Sequence, residues 1–412
     1  MGGCPVNADC RFEVARASRP HSVFSALILC GGTGGHLTPG IALAEGLIAR
    51  GHQPLLLVSH KQIDARILEK YPHLTFAKIP GTPLSAHPVR LARFLLTQTQ
   101  AFLSGLRLVR RHRPAIVVGF GGFTTASVIL AARLRRIPVA LHESNRVPGR
   151  AVRHLARLAQ RVYLPPGIQL KTTTLKKQLA AGLPTRAEIK KLPRPEACAA
   201  LGLDPNLKTL VIFGGSQGAT ALNNWARQHA SDLARLNTQL YCVTGPGKAP
   251  PPPPLGEVAP GTAGILPAPS ERGLSGAGVS PADDAQRRSI QRSIFVPFCD
   301  NVAALLSAAD LVIARAGAGT IAELIRCATP SILVPYPFAA DNHQAANAAW
   351  LAQHGGALVV PQDQIATELL PAVETLLTDD ARRAELAAAL CHLDQTRPLD
   401  AIIADLETLA RR

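Results

Sequence analysis

No uninterrupted apolar run approaches the roughly 18–20 residues that a membrane-spanning helix needs, so nothing in the sequence reads as a span. Aromatic residues make up only 4%, which leaves room for at most a small base- or sugar-stacking platform. The cysteines (Cys4, Cys10, Cys30, Cys198, Cys242, Cys299, Cys327 and Cys391) contain no C-x-x-C pair. Scattered as they are, several within apolar runs, they read as small buried hydrophobes in a reducing compartment, not as zinc ligands or a disulfide framework. The G-x-G-x-x-G spacing is missing, and Leu55-Leu-Leu-Val-Ser-His60 ends without the carboxylate that holds a ribose diol, which disfavours NAD. No G-x-x-x-x-G-K-[ST] occurs, and no D-x-D, so a carboxylate-held divalent ion on a diphosphate has no obvious ligands. No metal and no cofactor are therefore expected. The 33 Gly and 34 Pro follow no Gly-X-Y period, which excludes collagen. Residues 1–23 carry Arg11, Glu13, Arg16 and Arg19 and no apolar core, so a disordered extension is expected there and not a signal peptide.

What is present is 47% hydrophobic residues over 412 positions, enough for two or three packed domains. Charge is distributed unevenly. Residues 70–187 hold 20 Lys/Arg and a single carboxylate, Glu143, within a chain of net charge +16. Residues 188–412 sum to −4. A field of this kind draws polyanions: nucleic acid, an anionic bilayer or phosphorylated substrates. Nucleic acid is disfavoured, because no recognised binding motif or interleaved aromatics accompany the charge.

Short apolar runs alternate with helical patterns: Ala26–Cys30, Leu55–Val58, Ile116–Val118, Val139–Leu141, Thr209–Phe213, Leu311–Ala314 and Ile332–Val334. Runs of this length suit strands buried on both faces of a parallel sheet, so the class is α/β, doubly wound. The halves also resemble each other. Leu27-Ile-Leu-Cys-Gly-Gly-Thr-Gly-Gly35 leads into a helix expected over Gly40–Arg50, and Leu210-Val-Ile-Phe-Gly-Gly-Ser-Gln-Gly218 into one over Ala219–His229. Ile116-Val-Val-Gly-Phe-Gly-Gly122 and Leu311-Val-Ile-Ala-Arg-Ala-Gly-Ala-Gly319 repeat the device, which implies two facing nucleotide-fold domains. The expected division is 1–23, 24–184, 185–393 and a C-terminal helix in 394–412, with a Pro- and Gly-rich insertion at 245–292 expected to be disordered.

Each Gly-rich loop offers backbone N–H groups and a helix start to an oxyanion. His36, just after Gly31-Gly-Thr-Gly-Gly35, suits proton abstraction from a hydroxyl; ordering the loop is an equal reading on spacing alone. Ala318, Gly319, Thr320, Ile321 and Ala322 would bring a helix tip to a diphosphate, with Glu323 reaching ribose hydroxyls or merely meeting the helix dipole. Ser216 and its loop would close over the same phosphates, and Asp341-Asn-His-Gln344 suits sugar hydroxyls. Arg186 is either a further anion contact or an ordinary solvated arginine. Pro83–Arg113 mixes Leu91, Phe94, Leu95, Leu96 and Leu103 with Arg90, Arg93, Arg107, Arg110 and Arg111. It reads either as an amphipathic helix packed on the sheet or as a bilayer-contacting element, and the acid-free stretch around it tips the balance to the membrane.

Taken in order, Gly31–Gly40, Gly119–Phe123, His142-Glu-Ser-Asn145, Gly214–Gly218, Arg315–Glu323 and Asp341–Gln344 resemble the MurG family. That family transfers N-acetylglucosamine (GlcNAc) to undecaprenyl-pyrophosphoryl-MurNAc-pentapeptide (lipid I) to give lipid II. The resemblance implies a GT-B fold of two Rossmann-like domains with an interdomain cleft, and a last helix that returns to the first domain. It implies that Thr33, Gly34 and Gly35 line the site, that Asn145 lies beside the donor, and that Arg186 and Ser216 approach the diphosphate. The backbone near Cys299 and Ala318–Glu323 would hold uridine and ribose, with His343 and Gln344 near the GlcNAc. Arg186 lies in Gly-Leu-Pro-Thr-Arg where many members have Gly-Asn-Pro-Val-Arg. Implied partners are UDP-GlcNAc, lipid I, an anionic membrane surface on the cytoplasmic face of the bacterial membrane, and other cell-wall synthesis proteins. Related alternatives are a diacylglycerol glycosyltransferase and a UDP-GlcNAc 2-epimerase. From another class, the rival is a non-catalytic binder that uses only its cationic half.

Overall fold

The computed structural model describes residues 23–31, 34–59, 69–82, 87–122, 125–215, 218–248, 292–394 and 397–411. Residues 1–22 of the expected N-terminal extension, and all but the ends of the 245–292 insertion, lie outside the described residues.

The first sheet contains β1 (Ser25–Leu29), β2 (Gln53–Ser59), β3 (Phe76–Ile79), β4 (Ile116–Gly119), β5 (Val139–His142), β6 (Arg161–Leu164) and β7 (Gln178–Ala180), in the spatial order 3-2-1-4-5-6-7. The second contains β8 (Lys208–Phe213), β9 (Thr238–Val243), β10 (Ser293–Val296), β11 (Leu311–Ala314), β12 (Ser331–Leu333) and β13 (Leu358–Val359), in the order 10-9-8-11-12-13. Every pairing is parallel. The unbroken apolar runs follow from this, because both faces of each sheet are covered. Ala26 and Ile28 pack into one core with Leu56 and Val118, while Leu27 and Leu29 point into the other with Leu57 and Val117. In the second sheet Val211 and Ile212 part in the same way. Period-two geometry sends alternate residues of one strand to opposite cores.

In both sheets the strand order reverses between the first and fourth strands, β1 and β4 in one, β8 and β11 in the other. Open α/β sheets bind ligands in the crevice beyond the strand ends at such a point. The four Gly-rich loops are the segments that leave those four strands.

Three sequence expectations need correction. The helix placed at Gly40–Arg50 starts at Gly34 and runs through Pro39 to Ala49. Two glycines and a proline weaken the local helix signal, but Leu37, Pro39 and Ile41 are buried and packing carries the first turns. His36 thus belongs to the first turn of a helix and not to the loop before it. Short strands β3, β6, β7 and β13 were not anticipated, being of two to four residues with little apolar run of their own. Cys391 is exposed, whereas Cys30, Cys198, Cys242, Cys299 and Cys327 are buried.

The helix Pro398–Ala410 lies against the helix Gly34–Ala49 and buries Ile402, Ile403, Leu406 and Leu409 in the first domain's core. Gly46 permits the approach, since a Cβ there would sit 2.6 Å from Ile403 Cδ1. Asp405 accepts two hydrogen bonds from Arg161 (2.7 and 2.8 Å) and one from the Tyr163 hydroxyl (2.8 Å), and Glu407 meets His52 at 3.1 Å.

The helix Pro88–His112 packs on the first domain along one face only. Ala101, Gly105 and Val109 are buried, Gly105 against Val128 of the helix Thr125–Leu134. Val89, Leu91, Leu95, Leu96 and Leu103 stay exposed, as do Leu130 and Leu134 of the neighbouring helix. Among the described residues no helix is long and apolar enough to cross a membrane.

Candidate active site

The two sheets meet with their switch-point loops opposed. Thr38, in the second turn of the helix Gly34–Ala49, lies 3.8 Å from where a Cβ on Gly319 would be, so the starts of these two helices touch across the cleft. The helix Ala318–Cys327 begins after Gly317, which has no side chain to cap it, so its first N–H groups lack the usual N-cap acceptor.

His36 is largely buried beside Gly121 and donates to the Gly31 carbonyl. Burial lowers its pKa to about 4; the bond to Gly31 opposes that, and His343, facing it from the other domain, adds to it. The ring is therefore neutral near pH 7, with one nitrogen committed to Gly31 and the other able to accept a proton. His343 itself is turned by its Nδ1, 2.7 Å from the Ala340 carbonyl.

Asn145 follows β5 and is held on both sides. Its backbone and side-chain nitrogens donate to Glu143 at 2.9 and 3.3 Å, and the Gly149 N–H donates to the same carboxylate at 2.7 Å. Burial pushes the Glu143 carboxyl up, while the N–H groups of Asn145 and Gly149 pull it down less strongly. From the second domain, Asn347 Nδ2 donates to Asn145 Oδ1 (3.0 Å) and to the Ala316 carbonyl (3.1 Å), and its Oδ1 accepts from the Arg146 N–H (2.9 Å). Arg146 also lies over the Trp350 ring at 4.8 Å. Arg153 pairs with Asp341 at 2.5 Å.

Arg186 is not a solvated arginine. It is largely buried, donates to Glu323 at 3.2 Å and to the Tyr71 hydroxyl at 2.9 Å, and pairs with Glu188 at 3.2 Å. Burial opposes its charge, and Glu323, Tyr71 and Glu188 together outweigh that and raise its pKa. Glu323 is thus more than a dipole partner at a helix start. Gln344 accepts from the Tyr336 N–H (2.9 Å), and Arg315 ties the same loop by donating to Val334 and Pro335 carbonyls (3.0 and 3.2 Å). Cys299 is buried just beyond β10, with its thiol 3.6 Å from the Asn301 carbonyl. Gly34 and Gly35 open the first helix, and Thr320 and Ala322 lie half-buried at the start of the other, beside buried Ile321. Thr33 and Ser216 lie outside the described residues. Among the described residues no three His, Cys, Asp or Glu side chains gather as a metal-binding group.

A family model described as glycosyltransferase family 28 N-terminal domain matches residues 26–164, and its C-terminal counterpart matches residues 275–400. The UDP-N-acetylglucosamine--N-acetylmuramyl-(pentapeptide) pyrophosphoryl-undecaprenol N-acetylglucosamine transferase of Opitutus terrae is 49% identical over 93% of this chain and 95% of its own. The protein of that name from Desulforudis audaxviator is 35% identical over 93% and 98%. This chain belongs to the MurG family. Among solved structures, MurG of Acinetobacter baumannii aligns with a TM-score of 0.65 at 24% identity, over 93% of this chain and 99% of that one. The glycosyltransferase of kitacinnamycin aligns at 0.64 with 16% identity, over 94% and 99%. Both share the two-domain GT-B fold.

Within this MurG-family cleft the start of the first helix, Gly121, Asn145, Ala316–Gly319 and His343 come together, but the residues that join them have little or no signal in the sequence. In the sequence Glu143 shows only as the lone carboxylate of residues 70–187 and as a member of His142-Glu-Ser-Asn145, without a role of its own, and Asn347 and Tyr71 do not stand out. Asn347 carries a faint signal, a polar residue one helical turn after His343 and directly before buried Ala348. Tyr71 carries none.

Proposed function

We propose that this chain is an inverting N-acetylglucosaminyltransferase that moves GlcNAc from UDP-GlcNAc to the C4 hydroxyl of the MurNAc of lipid I, giving lipid II. Family membership over nearly the whole chain carries this reading, and the meeting of the switch-point loops of both domains supports it. In the proposed step the acceptor oxygen attacks the anomeric carbon while its proton passes to His36. The bond from that carbon to the diphosphate oxygen breaks, and UDP leaves with the electron pair. N–H groups at the Gly317–Gly319 helix start, with those of the Gly214–Gly218 loop, would meet the charge on UDP; a preorganised donor of this kind contributes roughly 3 kcal/mol. Thr33, Gly34 and Gly35 would line the site. Asn145 and Gln344 would contact GlcNAc, with His343 beside it. Glu323 would take the ribose hydroxyls, and the backbone near Cys299 the uracil.

The test is transfer of radiolabel from UDP-GlcNAc to a lipid I analogue. Label on the lipid and release of UDP are expected. UDP-ManNAc formed without acceptor would support the epimerase, and label on diacylglycerol alone would support the glycolipid enzyme.

We also propose that the exposed leucines of the helix Pro88–His112, with Arg90, Arg93 and the arginines around them, rest on an anionic bilayer at its cytoplasmic face, bringing the cleft to a lipid-borne acceptor. Leu95→Glu with Leu96→Glu should lower sedimentation with vesicles of anionic phospholipid about tenfold while sparing transfer to a water-soluble acceptor. Undiminished vesicle binding by the double variant would remove the membrane role from this face.

A further inference from the structure

Arg186 is placed by a residue that neither the family motifs nor the proposed chemistry includes. Tyr71 is 4% exposed, and its ring is packed into the first domain's core with Leu37 and Ile41. Its hydroxyl donates to Glu188 at 2.8 Å and accepts from Arg186 Nη1 at 2.9 Å. Glu188 is itself anchored by Lys70 at 3.1 Å, and Lys70 Nζ also donates to the Asp300 carbonyl at 2.8 Å. One corner of the guanidinium, Nη1, is thus fixed by Tyr71 and Glu188. Its side edge is arranged differently: Nη2 meets Glu323, and Nε is buried with no hydrogen-bond partner. Nε and Nη2 form the edge of the arginine fork that takes two oxygens of one phosphate. An orphaned donor there is costly in the unliganded protein, and an incoming diphosphate oxygen would satisfy it.

We propose that Tyr71 is a positioning residue for the donor diphosphate. It holds Arg186 by Nη1 so that the Nε–Nη2 edge is presented to phosphate, with Glu323 occupying part of that edge until nucleotide arrives. The inference rests on the reading that this cleft takes a UDP-sugar. It also makes donor affinity depend on a side chain of the domain that does not hold the nucleotide, so that nucleotide binding and docking of the two domains favour each other.

Tyr71→Phe keeps the packed ring and deletes only the hydroxyl. UDP affinity by calorimetry and the donor KM should both weaken about five- to twentyfold, with kcat within about twofold of the parent protein, since the bond lost is one to a charged group. On an Arg186→Ala background the same change should have no further effect on UDP affinity, whereas a general loosening of the fold would weaken both backgrounds alike. Glu188→Gln, which leaves the tyrosine intact, should weaken UDP in the same direction. Unchanged UDP affinity in Tyr71→Phe, or an equal loss on the Arg186→Ala background, overturns the proposal while the transferase reading stands. A parent protein that takes up no UDP would overturn both.

Discussion

Replacing His36 with alanine is expected to lower kcat by roughly a hundred- to ten-thousandfold, the range a positioned general base supplies, and to leave the donor KM within about threefold. The asymmetry follows from where the ring sits. It lies at the start of the Gly34–Ala49 helix, on the first domain, and donates to Gly31, whereas the groups proposed to hold the nucleotide belong to the second. With its pKa lowered to about 4 by burial, His36 is unprotonated throughout the neutral range. The base must be unprotonated to act, so kcat/KM of the parent protein should stay level on this limb between pH 6 and 8 and fall as the pH drops toward 4. The alanine variant should lose that acidic limb along with most of its rate. Turnover within about twofold of the parent would assign His36 to ordering the Gly31–Gly35 loop.

Gly218→Ala is expected to destabilise the second domain by about 3 kcal/mol, a fall in Tm of roughly 6–12 °C, and to abolish calorimetric binding of UDP. Gly218 has φ +65°, and a Cβ there would lie 1.8 Å from the Thr244 carbonyl oxygen. That carbonyl cannot retreat easily. It accepts from Asn223 Nδ2 at 2.8 Å, and the Thr244 N–H is bonded to the Val296 carbonyl at 2.8 Å. Relief must therefore come from the Gly214–Gly218 loop itself, which is the proposed phosphate cradle. Gly215 provides the comparison. Its φ is +78° but nothing lies within 4 Å of its absent Cβ. Gly215→Ala should accordingly cost only the backbone term of about 1 kcal/mol. Equal effects from the two substitutions would mean that steric contact with Thr244 plays no part.

Much of the fold was legible because it is written in local terms. A strand covered on both faces must be apolar at every position, so Leu27-Ile-Leu and Leu210-Val-Ile could be assigned as buried parallel strands without partners in view. A chain that must bend sharply from strand to helix next to an anion needs glycine, which made all four switch-point loops visible. The same local logic misplaced the start of the first helix. Gly34, Gly35 and Pro39 argue against helix, and only burial of Leu37 and Ile41 overrides them.

The sequence alone therefore determined the α/β class, the two-fold repetition of the Gly-loop unit, the concentration of positive charge in one half and the identity of the cleft loops. Tertiary structure alone decided which residues those loops touch. Asn145 and Asn347 are 202 positions apart, Arg153 and Asp341 188, and Arg186 and Glu323 137. Nothing periodic or compositional links such pairs, because the first two bonds depend on how one domain is docked against the other and the third on how the segment entering the second domain packs against a helix of that domain. Whether Arg186 is solvated or buried, and whether the leucines of Pro88–His112 face the core or water, are likewise questions of which surfaces meet. Local sequence specifies the surfaces, and only their packing settles which of them are covered.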